Sequence, residues 1–482
     1  MGCKIPFAVP RRLVALPLAL GALAACQPTA AHRGATVLFA SGADLQSINP
    51  LVTLHPLARQ VQRYVLFTTL ARYDSSLAPR PYLAREWSWS SDRRSLTFRL
   101  VGGLRWHDGV PTTARDVRWT LDAARDPVVG YPRAAELATL ERVGAPDDST
   151  VTLRFTAAPA RFPDVLTDLA ILPAHLLDTV PRDRLRRAGW NERPVGNGPF
   201  RFVAHEPNRR WVFAANPDFP AALGGPPRLA RLIVVVVDEP ATKLAALTAG
   251  ELDFAGIQPA HASFVARDPA LAILSYPLLL TYGIVLNTRR PAFAELAARR
   301  RIDAALDRRE IVDGYLYGYG TPAHGPVPPG VPGYVPVAPL TSSAGAPGPA
   351  GGFELLTVGS GEAPLEQMVQ AQLRKVGIDV RIRQLELSAF LARVYGPAHD
   401  FDAAVLGITG DAGLAYLGPL AELAGMDAPP DAAAAQRMFA DSVPVVFLYH
   451  ARGLQGMNRR VHGVTMDLRG ELPTVHDWWV AP

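Results

Sequence analysis

Cysteine is almost missing from this chain. The only two, Cys3 and Cys26, both fall within the first 26 residues, so nothing beyond them can be a disulfide or a cysteine-built metal site. Lysine is nearly as scarce, occurring at positions 4, 243 and 375, and the arginine that replaces it throughout reads as coding bias rather than an arginine-specific site. No G-x-S-x-G, H-E-x-x-H or Walker loop occurs, and the eleven histidines show no close ligand spacing. Catalytic residues, a bound metal and a cofactor are therefore not expected. The formal charge of +5 includes Lys4, Arg11 and Arg12, so the excess over the rest of the chain is too small to argue for nucleic acid. Beyond the first 26 residues, the apolar stretch 269–288 runs uncharged for about a membrane span. Pro277, Ser275, Tyr276, Thr281 and Tyr282 interrupt it, and LAILSY and YGIVLN read as two buried strands with an irregular connection.

What is present begins with a basic, then apolar, then small-residue stretch over residues 1–25, the pattern of a secretory signal peptide. Leu23-Ala24-Ala25-Cys26 resembles the bacterial lipobox, which makes Cys26 the expected lipidation site. The alternative is an ordinary leader cut near an Ala-x-Ala site, with Cys26 incidental. Residues 26–35 read as a tether.

The densest signal is residues 81–122. Trp87 and Trp89 share one face of an extended segment, SSDRR turns the chain, and Leu96, Phe98 and Leu100 alternate with polar residues as a half-buried strand requires. Trp106-His107-Asp108-Gly109 forms a tight loop, and Thr113 with Asp116 has the spacing of a capping box ahead of a helix carrying Val117, Leu121 and Ala124. Further along, Pro194-Val-Gly-Asn-Gly-Pro-Phe200 predicts a turn in which two glycines take backbone angles closed to other residues, with Asn197 tolerating left-handed geometry. RLIVVVVD reads as a strand covered on both faces, and QVQRYVLFTTLARYD as a helix. FELLTVGSG, the helix APLEQMVQAQLRKVG and IDVRIRQLEL predict a parallel strand-helix-strand unit. Between them, residues 321–352 hold nine prolines and seven glycines and read as a loop.

PYLAREW, LTFRL, LRWHDGVPTTARDV, PVGNGPF and the strand-helix-GELD unit, in that order, resemble the family 5 extracytoplasmic solute-binding proteins, the oligopeptide, dipeptide and nickel receptors of ABC importers. The resemblance implies an α/β, two-lobed periplasmic-binding-protein fold (type II, cluster C) with a small extra domain in lobe I. It places lobe I at residues 36–72 and 194–283, the small domain at 73–193, a shortened lobe II at 284–444 and a return to lobe I over 445–482. It also implies a peptide or other small solute, an ABC permease with its ATPase, a membrane contact through lipid, and a monomer in the periplasm or on the outer face of the cytoplasmic membrane. In peptide receptors of this family the Asp of G-W-x-x-D accepts the ligand's α-ammonium; Gly407-Ile408-Thr409-Gly410-Asp411 puts Asp411 there, with Ile408 in place of Trp. Ile408, Thr409, Gly410, Tyr64 and Phe67 are the further contact candidates, with Arg72 near them. Other readings are a non-transporting envelope receptor or peptide-binding scaffold, or a member specific for nickel chelates, haem or oligosaccharide.

Overall fold

The computed structural model describes residues 34–53, 55–340, 349 and 352–481. The leader, Cys26, most of the tether and part of the Pro/Gly-rich loop (341–348, 350–351) lie outside the described residues.

Two long antiparallel strands, Leu271–Leu286 and Val445–Asn458, form the middle of an eleven-stranded sheet and join its two lobes. On one side lie Phe254–Gly256, Thr36–Ser41, Arg231–Val236 and the hairpin of Phe200–Glu206 with Arg210–Ala215. On the other lie Ala403–Thr409, Phe353–Val358 and Val380–Leu385, the last two parallel and linked by the helix Pro364–Lys375. Along Ala403–Thr409 the pleat sends Ala404, Leu406 and Ile408 into one core and Ala403 and Val405 into another, so this lobe is packed on both sheet faces.

The uncharged stretch 271–286 is one strand rather than two. Its pairing slips between Pro277, opposite Arg452, and Thr281, opposite His450. Proline has no N–H to give the ladder, so pairing lapses after it. Leu278 and Leu279 fall in the slip. His450 is buried here against the Thr281 hydroxyl, 2.9 Å from its Nδ1. Among the described residues no helix is long and apolar enough to cross a membrane.

A separate four-stranded antiparallel sheet is built from Ala84–Trp89, Ser95–Leu100, Thr150–Phe155 and Leu140–Asp147. Trp87 packs on Phe98 and Phe162 at 6.0 and 5.0 Å between ring centroids. The helix Ala114–Arg125 starts at the capping box of Thr113 and Asp116. Asp116 does more than cap: its other oxygen accepts from Ala174 N at 2.9 Å, fastening the next segment to the helix start.

Three expectations change. QVQRYVLFTTLARYD does not continue as a helix: Pro56–Val61 passes into a π-turn at Gln62–Leu66 and then the strand Ala71–Tyr73. The helix stops because other groups take its backbone. Gly198 N donates to the Leu66 carbonyl at 2.9 Å, and Thr68 N to Asn197 Oδ1 at 2.8 Å. Gly196 and Gly198 are needed for closeness rather than for left-handed angles, since neither has positive φ and each lies against the Leu66–Phe67 backbone. Arg231–Val236 buries Leu232 and Val234 in one core, while on its other face Ile233 and Val235 are only half-buried, Val235 packing against a second, smaller core.

Candidate functional site

Arg59 and Arg63 are one helical turn apart on the Pro56–Leu66 segment, a spacing that puts both on one face. That face looks into a cavity of about 590 Å³ between the lobes, within the size range of small-solute sites. Residues 133–168 form a second wall, Leu278 and Leu279 from the slipped strand a third, the 410–415 loop a fourth and residues 467–470 a fifth. Five segments distant in sequence thus meet only here.

Asp168 is the centre of the first two walls. Its carboxylate, with 9% of the side chain exposed, receives Arg59 Nη2 at 2.5 Å and is also bonded by Arg63 and Arg133. Burial alone would raise its pKa, but Arg63, Arg59 and Arg133 outweigh that and hold the carboxyl well below the usual range. Arg133 is closed off by Glu136, which takes Nε and Nη2, and Arg63 reaches the Arg469 carbonyl at 3.2 Å. Arg469 in turn grips Asp467 at 2.6 Å.

The opposite wall carries Asp411 with the Arg161 guanidinium beside it. Gly410 N donates to Leu279 O at 2.7 Å, and Asp411 Oδ1 accepts from Ala415 N at 3.2 Å within its own loop. Among the described residues Asp411 has no ion-pair partner. Arg161 crosses from the small domain, donating to the Ala412 carbonyl at 2.9 Å and to Asp164 at 2.7 Å. It passes over Gly413, where a Cβ would stand 1.5 Å from its Nη2 and 2.6 Å from Asp411 Oδ1. Only glycine leaves room for that crossing.

Of the residues singled out in the sequence, Asp411, Gly410 and Tyr64 line the cavity. Phe67 does not: it is fully buried with its ring 5.9 Å from Trp190, because the chain has left the helical face by then. Ile408 also points into a core, as strand alternation requires, and Thr409 is exposed outside the cavity. Arg72 covers the Tyr82 ring at 3.4 Å instead of facing the cleft. Trp106 is buried and His107 bonds the Gly198 carbonyl at 3.1 Å, which makes both parts of the turn. Cys26 is outside the described residues.

Sequence reasoning missed Arg59, Arg63, Arg133, Arg161, Asp168 and Arg469. The i,i+4 pairs Arg59–Arg63 and Asp164–Asp168 were visible, but nothing local says that they face each other.

Comparison with known proteins gives a consistent picture. The profile of the bacterial extracellular solute-binding proteins, family 5 (middle region), matches residues 78–420. A Brucella ovis protein whose name makes it an ABC transporter peptide-binding protein is 31% identical over 243 residues, 50% of this chain and 45% of that one. The chain therefore matches about half the length of that relative. Di/tripeptide-binding protein 4 of Pseudomonas aeruginosa is 30% identical over 440 residues, covering 83% of this chain and 80% of the other. Among solved structures, the ABC transporter substrate-binding protein CtaP of Listeria monocytogenes aligns with a TM-score of 0.79 at 20% identity, covering 93% of this chain and all of that one. The oligopeptide-binding protein AppA of Bacillus subtilis, solved with a nonapeptide, aligns at 0.72 and 22%, covering 93% and 99%. These likenesses establish the shared two-lobed fold.

Proposed function

The chain belongs to the bacterial extracellular solute-binding proteins of family 5, which are substrate-binding proteins and not enzymes, and from that premise we propose that it is the peptide-binding receptor of an ABC importer. The observation that carries the reading is the cavity between the lobes, walled by unlike charges on segments from both. A peptide main chain presents ammonium, amide and carboxylate groups, and such a wall can hold them by charge-assisted bonds without reading side chains. In this proposal Asp411, at the mouth of the second lobe, receives the ammonium, and Gly410 and Tyr64 border it. The lobes follow the divisions 36–72 with 194–283, and 284–444, with 445–482 returning. Closure about the two long strands traps the solute, and the closed form is passed to the permease.

Two experiments test this. The purified protein, freed of bound solute by unfolding and refolding, is melted with di- to pentapeptides, nickel chelates, haem and oligosaccharides. A peptide at 100 times its dissociation constant should add about 2.7 kcal/mol to the folded state, and Asp411→Ala should abolish the gain. A shift given only by another solute class would sink the peptide reading. For the anchor, we propose that Cys26 is lipidated and holds the receptor to the membrane. Cys26→Ser should then move the protein from the membrane fraction to the soluble envelope fraction; an unchanged distribution would rule the lipid out.

A further inference from the structure

Arg161 joins two walls of the cavity that belong to different lobes on the divisions proposed above. It stands in the loop between the strand Thr150–Phe155 of the small sheet and the short helix Val165–Asp168, and its base is rigid. The next residue, Phe162, is wedged against Trp87 and Phe98, with ring centroids 5.0 and 6.3 Å away. Asp164 aims the guanidinium: its Oδ2 accepts from Nη2 at 2.7 Å, while its Oδ1 accepts from the Tyr73 hydroxyl. Nη1 then reaches across and donates to the Ala412 carbonyl at 2.9 Å.

The receiving loop is held as firmly. Gly410 N is bonded to the Leu279 carbonyl at 2.7 Å, in the slipped part of the long strand Leu271–Leu286, and Leu414 N closes back on the Asp411 carbonyl at 3.1 Å. An arm fixed at its root thus meets a catch tied to a strand about which the lobes turn. Asp411 adds attraction at the same place. The position of a Cβ on Gly413 lies 1.5 Å from Arg161 Nη2 and 2.6 Å from Asp411 Oδ1, so the guanidinium sits between two carboxylates, Asp164 from its own side and Asp411 from the other.

We propose that Arg161 is a latch: bonded to the Ala412 carbonyl, it holds the lobes closed over the cavity in the absence of solute, and the receptor opens when the arm lets go. This goes beyond the peptide reading and holds whichever solute binds. A charge-assisted bond is stronger than a neutral one, and Asp164 has already ordered the arm, so closing costs little side-chain freedom. The Arg161 side chain is 47% exposed, which lets water replace the carbonyl and keeps the latch reversible. Removing the bond shifts the population toward the open form.

The test is small-angle X-ray scattering of the purified full protein, freed of solute by unfolding and refolding, with no ligand added. Arg161→Ala should give a larger radius of gyration than the unaltered protein. Gly413→Ala should shift the radius upward as well, from the other lobe. Gly413 has no positive φ, so alanine suits the backbone, and the three atoms nearest its methyl are side-chain ends that can move aside. Both variants remove one contact, so the double variant should expand no further than the larger single shift. Arg161→Lys, which still donates to a carbonyl, should keep part of the closure. Scattering is recorded well below each melting midpoint, which separates opening from unfolding. Variants as compact as the unaltered protein, or an unaltered protein as expanded as they are, overturn the latch. Additive expansion in the double variant overturns it too, since the two residues would then act on separate contacts.

Discussion

Replacing Asp168 with asparagine is expected to remove about 3 kcal/mol of folding stability, read as a lower urea midpoint at unchanged slope. The variant keeps the shape and loses the charge, leaving Arg59, Arg63 and Arg133 clustered with Glu136, which is paired to Arg133, as the one remaining acid bonded to them among the described residues. Breaking a buried pair from one side costs more than the pair is worth, because the partner stays buried and uncompensated. The figure sits at the low end of the range for such losses since Arg59 keeps 31% of its side chain in contact with water, which screens it. A loss below about 0.5 kcal/mol, the level of an ordinary surface change, would mean that the three guanidiniums are effectively hydrated.

The same residue gives the protein an acid-sensitive component. In the folded state the Asp168 carboxyl is held below its usual range, chiefly because the three arginines outweigh its burial. The unfolded chain therefore takes up the proton first as pH falls. The stabilisation is complete above the ordinary carboxylate pKa of about 3.9 and is lost as pH drops through the lower folded value. Asp168→Asn should flatten that part of the acid unfolding curve. An acid limb identical to that of the unaltered protein would contradict the assignment.

The second large effect is expected at Gly196. A Cβ there would lie 2.0 Å from the Leu66 carbonyl oxygen and 2.9 Å from two carbons of the Leu66 side chain. The side chain can turn away but the carbonyl cannot, so Gly196→Ala must push apart the turn and the Pro56–Leu66 segment. Overpacking of this kind costs about 3 kcal/mol or more, and here it also tilts Arg59 and Arg63 relative to the cavity. Solute affinity should therefore fall along with the melting temperature. Gly102→Ala is the control, since Gly102 has no atom within 4 Å of its would-be Cβ and no positive φ. Equal melting temperatures for the two variants would show that the contact relaxes freely.

Much of the fold was legible locally. The alternation of Leu96, Phe98 and Leu100, the Thr113–Asp116 capping box and the strand-helix-strand at 353–385 are each decided within a few residues, and each appears where the pattern puts it. The readings that changed share one cause. The segment after Leu66 had a helical pattern but lost its backbone partners to Gly198 and Asn197, about 130 residues away. The uncharged stretch 271–286 was read as two strands because Pro277 breaks the local pattern, whereas its partner strand carries the pairing past the break.

The sequence by itself determined the export pattern, the α/β class, the absence of catalytic motifs and the likeness to a receptor family, because each of these is written in short-range composition or spacing. It placed Asp411 and Tyr64 by resemblance. Only the tertiary structure decided that Asp168 sits under three arginines, that Arg161 reaches over Gly413, and that Arg59 lines the cleft with its side chain partly exposed. The reason is physical: whether a charge is satisfied depends on which groups surround it, and here they come from five segments that are neighbours only after folding.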